Sequence, residues 1–419
     1  MAKIKLIAFG CSNNQAESEI MAGLLRDAGH EIVDSKEDIA IIGICNVKGP
    51  SFNKGIKAAK EAKGKVILAG CIPDYQLMKI RKEFPKASIV STHNIAQICS
   101  AVEGLKKEKR IELVEKKNTT KLLMPRARIN STTGIIPIST GCMGDCAYCS
   151  VKAIKGQLVS YPIEDILKEA RQCIKENCKE IWITAQDTGC YGIDIGKTLP
   201  QLLNEIIKLD GDFKIRLGMA NPQFVAKYLK EIIEIMNNPK MFCFLHIPIQ
   251  AGSDKILKDM NRKYTSKEFV DIITKLKKEV RDICIATDII VGYPTETEDD
   301  FLESMRIIEE IKPDVLYINR FWQMLNTKAA SLKQLRSEIL KERSLRMFKL
   351  FRPMALENNK KEIGKEMEIL IDEKAKGSLW GGRNSSYRLV SIKGKYKLGE
   401  RIKVKIKSAT SNYLVGEEI

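Results

Sequence analysis

The sequence lacks three features, each of which would assign a broad class of protein. It has no apolar run long enough to cross a bilayer. Its opening, MAKIKLIAFG, predicts a charged start and a short strand rather than a secretory signal. It also has neither a Walker motif nor a G-x-G-x-x-G after the first strand. These absences argue against a membrane protein, a secreted protein and a nicotinamide enzyme, and they predict a cytoplasmic protein with no membrane partner.

Length and charge indicate a folded multidomain protein with a polyanionic partner. A chain of 419 residues with 44% hydrophobic content predicts two or three domains. The formal charge of +17 comes from 70 Lys and Arg residues against 53 Asp and Glu residues. Nucleic acid is the first candidate partner for such a surface and an anionic membrane the second. A general bias toward lysine would also explain the charge.

Apolar runs divide the chain into zones. Residues 1–104 alternate short apolar runs with helical stretches, which predicts an open, parallel α/β sheet domain. The charged residues 105–129 predict a linker. Residues 130–360 contain six strand-plus-helix units, which predicts a partial (β/α)6 barrel with its site at the carboxyl ends of the strands. Residues 361–419 change to period two in four segments, MEILID, YRLVSI, RIKVKIK and NYLVGE, with Gly381 and Gly382 in a turn. This pattern predicts a small antiparallel β-barrel.

Three cysteines stand close together in GCMGDCAYCS: Cys142, Cys146 and Cys149. They follow the first barrel strand, GIIPIST, and we therefore expect them at the catalytic rim. A structural zinc ion takes four ligands, but the next histidine along the chain is His246. An iron–sulfur cluster with three cysteines leaves one iron open for a ligand. The spacing favours such a cluster over a partial zinc knuckle or chance clustering.

A second set of cysteines follows separate strands of the N-terminal sheet. Cys11 ends KLIAFGC, Cys45 ends IAIIGIC and Cys71 ends VILAGC. The carboxyl ends of parallel strands share one edge, so the three thiols are able to converge there. The spacing alone fits a second cluster and three small buried residues equally well. The other six cysteines are interpreted as packing residues: Cys99, Cys173, Cys178, Cys190, Cys243 and Cys284.

The Cys-x3-Cys-x2-Cys spacing, with Tyr148 before the last cysteine, resembles the radical S-adenosylmethionine (SAM) superfamily. This resemblance implies a [4Fe–4S] cluster whose open iron binds SAM. The segments FGCSNNQAESE, CNVKG, AGCIPD and GCMGDCAYC, followed by the C-terminal β module, are similar in order to the methylthiotransferases. That family implies a second [4Fe–4S] cluster on Cys11, Cys45 and Cys71, and an RNA-binding TRAM domain at the C-terminus.

Finer segments resemble one branch of that family. KGQLVSYP, IWITAQDTGCYGIDIG, RLGMANPQ, FLHIPIQAGSDKILKDMNRKYT and ATDIIVGYPTETEDDF look like the archaeal and eukaryotic branch. The resemblance implies methylthiolation at C2 of N6-threonylcarbamoyladenosine beside the tRNA anticodon, with SAM as methyl donor and radical source. It further implies an electron donor protein and a sulfur donor. A ribosomal-protein aspartate methylthiotransferase and a non-enzymatic RNA-binding iron–sulfur protein are the alternatives.

Side chains for SAM and RNA complete the expected site. Polar residues near the ends of barrel strands are expected to orient SAM, and Arg216 is the first choice because a buried cation needs an anionic partner. The expected SAM contacts are Tyr148, Gln186, Arg216, Asn221 and Ser160. The expected RNA contacts are Lys403, Lys405 and Lys407, with Arg383, Arg388 and Lys397 nearby. The chain departs from the family at QMLNT, residues 323–327.

Overall fold

The computed structural model of the protein describes residues 1–46, 49–117 and 119–419. Val47 and Lys48 of the CNVKG segment, and Asn118 of the predicted linker, lie outside the described residues. Within the described ranges, no helix combines the length and the apolar character needed to span a membrane.

The N-terminal residues form a parallel sheet of six strands with helices on both faces. The strands are β1 (Lys3–Ala8), β2 (Glu31–Ile32), β3 (Ile39–Cys45), β4 (Lys65–Cys71), β5 (Ser88–Ser91) and β6 (Glu112–Leu113). The helices are α1 (Ser12–Asp27), α2 (Gly49–Glu61), α3 (Asp74–Glu83) and α4 (Ile98–Lys106). The order is β2-β1-β3-β4-β5-β6, and the central strand β3 is buried along its whole length, as its uninterrupted apolar sequence predicts.

The middle of the chain forms the six-stranded partial barrel. Its strands are β7 (Thr133–Pro137), β10 (Glu180–Thr184), β11 (Lys214–Leu217), β12 (Phe244–His246), β13 (Cys284–Val291) and β14 (Val315–Arg320). Two short strands, β8 (Ser139–Thr140) and β9 (Val159–Ser160), pair with each other outside the barrel sheets. Two parallel sheets, β11-β10-β7 and β12-β13-β14, are joined by a bridge between Ile215 and Met241. The six predicted barrel strands are therefore all present.

The barrel helices pack outside the strands and enclose the largest apolar core. They are α5 (Val151–Lys155), α6 (Ile163–Lys175), α7 (Leu199–Ile207), α8 (Pro222–Lys227), α9 (Leu229–Met236), α10 (Asp254–Asp259), α11 (Ser266–Glu279), α12 (Glu298–Ile311) and α13 (Ser337–Lys360). Helix α12 begins with a capping box between Thr297 and Asp300, which satisfies N–H groups that the first turn leaves unpaired.

The predicted linker is tightly packed rather than extended. Its residues Glu112–Leu113 pair with β5 as the last strand of the first sheet. Further along, the Ala127 N–H donates to the Glu19 carbonyl (2.9 Å), and the Leu123 N–H donates to Glu169 Oε2 (2.7 Å). Because Glu19 lies on α1 and Glu169 on α6, this segment fastens the N-terminal domain to the barrel. Three of its charged side chains, Lys121, Arg126 and Arg128, belong to a buried interface, which the sequence did not reveal, whereas most of the others are exposed.

The C-terminal module is a closed five-stranded barrel in the order β15-β16-β17-β19-β18. Its strands are β15 (Glu366–Lys374), β16 (Leu379–Arg383), β17 (Leu389–Lys393), β18 (Arg401–Ala409) and β19 (Leu414–Glu418). The sequence predicted four of them and placed Gly381 and Gly382 in a turn. They lie in β16 instead, where a Cβ on Gly382 would come within 2.9 Å of Ile369. One pair, β17–β19, is parallel and the others are antiparallel.

The two outer domains contact opposite ends of the partial barrel. The C-terminal module packs on the amino ends of the strands, where Arg388 Nη2 donates to Asp314 Oδ1 (2.6 Å) and Tyr387 stacks edge-on against Phe242. The N-terminal domain packs on the carboxyl ends, where Ser12 meets Thr184 at the end of β10. The barrel mouth therefore faces the N-terminal sheet.

Candidate active site

The three cysteines after β8, here called the radical cysteines, form a loop whose sulfur atoms are half-buried. Each sulfur accepts a hydrogen bond from an N–H group: Cys142 from the Gly144 N–H (3.2 Å), Cys149 from the Val151 N–H (3.5 Å) and Cys146 from Arg262 Nη1 (3.2 Å). N–H groups directed at sulfur stabilise a thiolate, which is the form that binds iron. The donor set on this loop therefore fits an iron–sulfur cluster.

Two other segments hold this loop in place. The Ala147 N–H donates to the Met260 carbonyl (3.0 Å), and the Ala329 N–H donates to the Ala147 carbonyl (2.9 Å). Ala329 follows the QMLNT departure, whose Gln323 side chain donates to the Ala330 carbonyl (2.8 Å). The departing segment thus supports a turn that bonds to the cysteine loop.

Arg262 is a functional candidate that the sequence did not single out. Besides its bond to Cys146, its Nε donates to the Tyr264 hydroxyl (2.8 Å). Its Nη2 is buried and has no hydrogen-bond partner among the described residues. A buried guanidinium with a spare donor is an expected site for an anionic group. The signal in the sequence was only a cation three residues beyond the end of α10.

Cys190 was interpreted as a packing residue, but the structure places it beside a radical cysteine. It is fully buried, and a hydrogen bond between its thiol and Cys142 lowers the pKa of Cys142 and raises the pKa of Cys190. Cys190 also donates to the Asp187 carbonyl (3.2 Å). The chain thus contains a fourth thiol in contact with the radical cysteines.

The second set of cysteines, here called the auxiliary cysteines, meets at the carboxyl edge of the N-terminal sheet. Cys45 and Cys71 end β3 and β4 directly opposite each other, and Cys11 caps α1. Asn14 Oδ1 accepts hydrogen bonds from both Cys11 (3.5 Å) and Cys71 (3.7 Å). Gly10 allows this approach, because a Cβ there would lie 2.9 Å from the Cys45 Cβ and its φ is +125°.

The arrangement of both sets suits a cluster better than a single ion. Within the described ranges, no three His, Cys, Asp or Glu side chains are close enough to hold one metal ion. A four-iron cluster places each thiolate on a different iron, so its ligands stand farther apart than those of one ion. Three thiols at one sheet edge and three on one loop therefore fit two such clusters.

A cluster of charged side chains lies buried beside the auxiliary cysteines. Glu17 of α1 forms ion pairs with Lys121 of the linker segment and with Lys155 at the end of α5. Lys155 Nζ lies 3.0 Å from Glu17 Oε1. Thr92 donates to the same Glu17 oxygen (2.6 Å). Burial opposes the ionisation of Glu17, but the two lysines outweigh it and lower its pKa to about 2. We call Glu17, Lys121 and Lys155 the buried charge cluster.

Two of the expected SAM contacts have described hydrogen bonds inside the protein. Ser160 Oγ accepts from the Gly192 N–H (2.9 Å), and Asn221 Oδ1 caps α8 through Gln223. Tyr148 packs against an apolar cluster formed by α10 and by the loops that follow β12, β13 and β14. Gln186 differs, because its buried Oε1 has no hydrogen-bond partner among the described residues. Gln186 is therefore the strongest of these four as a ligand contact.

Arg216 lies deep in the barrel rather than beside the cysteine loop. Its guanidinium stacks over Trp182 (5.1 Å), Phe244 (5.3 Å) and Tyr387 of the C-terminal module (5.3 Å). Phe244 and Tyr387 lie at the amino end of the barrel. None of the described Arg216 contacts is with a cysteine. Its buried Nε has no partner in the described part of the chain.

Three parts of the chain match known protein families. Residues 136–308 match the Radical SAM superfamily, residues 3–92 match the uncharacterized protein family UPF0004, and residues 360–419 match the TRAM domain. The chain is 38% identical to a probable threonylcarbamoyladenosine tRNA methylthiotransferase of Pyrococcus abyssi, covering 100% of this chain and 99% of the relative. The chain belongs to the threonylcarbamoyladenosine tRNA methylthiotransferase family.

Eukaryotic members of this family are also similar over the whole chain. The human threonylcarbamoyladenosine tRNA methylthiotransferase is 34% identical and matches 100% of this chain and 74% of its own length. Among solved structures, the radical S-adenosylmethionine methyltransferase TsrM of Kitasatospora setae superposes with a TM-score of 0.56 at 12% identity, over 79% of this chain and 75% of TsrM. That likeness concerns the fold.

Proposed function

We propose that this protein adds a methylthio group to C2 of N6-threonylcarbamoyladenosine in tRNA, with two [4Fe–4S] clusters and SAM as cofactors. The observation that carries the proposal is the pair of three-thiol sites, one at the barrel mouth and one at the sheet edge that faces it. SAM and the clusters, when bound, supply a 5′-deoxyadenosyl radical for the strong aromatic C–H bond and the sulfur that becomes the methylthio group.

The chain's own residues have distinct tasks in this proposal. Cys142, Cys146 and Cys149 hold the cluster that binds SAM, and Cys11, Cys45 and Cys71 hold the other. The amino group of SAM is an ammonium donor, which matches the unpaired acceptor Gln186 Oε1. The carboxylate of SAM is an acceptor, which matches the unpaired donor Arg262 Nη2.

The other expected SAM contacts play secondary parts. Tyr148 and Asn221 shape the walls of the mouth through packing and helix capping. Ser160 orders the segment around Gly192. Arg216 is kept as a cation inside the barrel, whose unpaired Nε is a donor for an anionic group of a ligand.

The C-terminal barrel is proposed to bind the tRNA through its outer face. Strand β18 alternates buried apolar residues with outward lysines, and Lys403 and Lys407 are exposed while Lys405 is half-exposed. Arg383 and Arg388 do not belong to this surface, which corrects the sequence-based expectation. Arg383 pairs with Asp372 (3.1 Å), and Arg388 bonds to Asp314 and to Asn359 (3.0 Å), so both hold the module together or to the barrel.

An electron donor protein, a sulfur donor and a compartment complete the proposal. Reduction of the clusters requires an electron donor protein, and repeated turnover requires a sulfur donor, since each methylthio group removes one sulfur atom. The enzyme acts in the cytoplasm, where its tRNA substrate and a reducing environment for twelve free cysteines coincide.

The test is anaerobic turnover of the reconstituted full-length protein. Reductant, SAM, sulfide and tRNA carrying N6-threonylcarbamoyladenosine are supplied, and nucleosides and 5′-deoxyadenosine are measured by mass spectrometry. We expect a nucleoside heavier by one methylthio group with the native protein. Cys142→Ala should lose both products, whereas Cys11→Ala should retain 5′-deoxyadenosine and lose the modified nucleoside.

Two results would overturn the proposal. If 5′-deoxyadenosine forms while tRNA nucleosides remain unchanged, the target is another molecule, and a ribosomal-protein aspartate becomes the next candidate. If no SAM is cleaved by a protein that has bound its full complement of iron, the chain is not a radical enzyme.

A further inference from the structure

The buried charge cluster contains two lysines and one carboxylate, and burial lowers the pKa of Lys121. Lys121, Lys155 and Glu17 are each no more than 4% exposed, and two ammonium groups face one carboxylate. The other side chains bonded to Glu17 are Thr92 and Asn13, which are neutral. An uncompensated buried charge is costly, so this arrangement requires an anion nearby.

Lys155 shares both of its hydrogen-bond partners with Lys121, and its charge interacts with the auxiliary cysteines Cys71 and Cys11. Its Nζ donates to Glu17 Oε1 (3.0 Å) and to Thr92 Oγ1 (3.2 Å). The Thr92 N–H in turn donates to the carbonyl of Gly70 (2.7 Å), the residue before Cys71. An ammonium group has three hydrogens, and the third has no acceptor among the described residues.

The position of Lys155 in the chain links the two cysteine sites. Lys155 ends α5, the helix that directly follows the radical cysteines, and Glu17 lies on α1, which Cys11 caps. One segment thus supplies Cys149 to the first site and a buried cation to the second.

We propose that Lys155 is a positioning residue for the auxiliary cluster, and that its ammonium compensates the negative charge of that cluster. A four-iron cluster held by three thiolates is an anion, and it becomes more negative when it is reduced. A fixed buried cation therefore favours binding of the cluster and favours its reduced state even more. This inference rests on the proposed function, because it takes Cys11, Cys45 and Cys71 as the ligands.

The test uses the full-length protein with Cys142, Cys146 and Cys149 replaced by alanine, so that only the auxiliary cluster is present. Iron content and the midpoint potential of the cluster are measured by chemical analysis and by titration followed with electron paramagnetic resonance. The parent is compared with Lys155→Met, Lys155→Arg and Glu17→Gln. Lys255→Met is the control, because Lys255 is an exposed lysine that pairs with Asp300 and has no described contact with the auxiliary cysteines.

We expect Lys155→Met to disfavour reduction of the cluster at least tenfold, which for one electron is about 59 mV toward negative potential. Lys155→Arg should restore most of the parent potential. Glu17→Gln removes a negative charge and should shift the potential in the opposite direction. Shifts of the midpoint potential in opposite directions at two residues in direct contact indicate an effect of charge. General damage to the site would not produce them.

Several results would overturn the inference. It fails if Lys155→Met has the same potential as Lys255→Met, or if Lys155→Met and Glu17→Gln shift the potential in the same direction. If Lys155→Met does not retain iron, Lys155→Arg and Glu17→Gln decide by the same measurement. Failure of the parent itself to bind a cluster would instead refute the assignment of the auxiliary cysteines, so the two ideas fail in distinguishable ways.

Discussion

The side-chain hydroxyls of Ser12 and Thr184 lie 2.6 Å apart across the boundary between the N-terminal domain and the barrel. Ser12 follows the auxiliary cysteine Cys11, and Thr184 ends β10, two residues before Gln186. Together with the Glu17–Lys155 pair, this hydrogen bond sets the edge of one three-thiol site against the mouth that carries the other. In the proposed reaction, transfer of a group between the sites requires this alignment.

Ser12→Ala and Thr184→Val each remove this hydrogen bond, and we expect them to be coupled. A side-chain hydrogen bond contributes about 1 kcal/mol to stability, so the double-mutant cycle should show an interaction of about that size. The measurement is denaturant unfolding of the two single variants and the double variant. Strictly additive effects would show that the hydrogen bond is not formed in solution.

Arg262 is predicted to bind SAM through its spare nitrogen. Loss of a charge-assisted hydrogen bond costs about 1.5–3 kcal/mol, so Arg262→Met should weaken SAM binding by roughly tenfold or more. Arg262→Lys keeps the charge but loses the fork of nitrogens and should give an intermediate loss. Binding is measured by calorimetry on reconstituted protein with its iron content determined, and exposed Arg171→Met serves as control. Unchanged affinity in Arg262→Met would contradict the assignment.

Glu180 gives a pH dependence of stability with a definite sign. Burial, reinforced by Asp372, raises its pKa from 4.5 to about 7. The unfolded chain therefore loses this proton near pH 4.5 and the folded chain only near pH 7, so rising pH through that window destabilises the protein by up to about 3 kcal/mol.

Glu180→Gln removes the cost of burying a charged carboxylate at high pH. In the native protein Trp182 Nε1 donates a hydrogen bond to Glu180 (2.8 Å), and the amide oxygen of glutamine is also an acceptor for this bond. We expect the variant to be more stable than the native protein at pH 8.5 and close to it at pH 5. Thermal unfolding at both pH values checks this, with exposed Glu205→Gln as the control. An equal difference at both pH values would rule out the titration of Glu180 as the cause.

The lysines of β18 should differ in their effect on tRNA binding. Lys403 is exposed, whereas Lys407 is already paired with Glu417 (2.8 Å). Each phosphate that the protein no longer neutralises should lower the slope of log affinity against log salt by about 0.7 to 0.9. We expect Lys403→Ala to approach this value and Lys407→Ala to fall below it, measured by filter binding at several salt concentrations. An unchanged slope in Lys403→Ala would place the tRNA on another surface.

The fold was largely predictable because its signals are local. Uninterrupted apolar runs identified the parallel strands, since such strands are buried on both faces. The second strand of the C-terminal barrel was missed, because paired glycines favour turns in sequence but here allow two strands to approach closely. Arg388 was assigned to RNA because it is a basic residue in a basic module. Its partner, Asp314, lies 74 positions away, and nothing in the sequence near Arg388 indicates that contact.

The sequence by itself determined which thiols group together. Cys142, Cys146 and Cys149 are neighbours in the chain, and the auxiliary cysteines end strands that must share an edge if the sheet is parallel. Tertiary structure alone decided which charges meet those thiols. Lys155 reaches Glu17 across 138 positions, and Arg262 reaches Cys146 across 116. Such contacts depend on how whole domains pack, and no short pattern of residues encodes that packing.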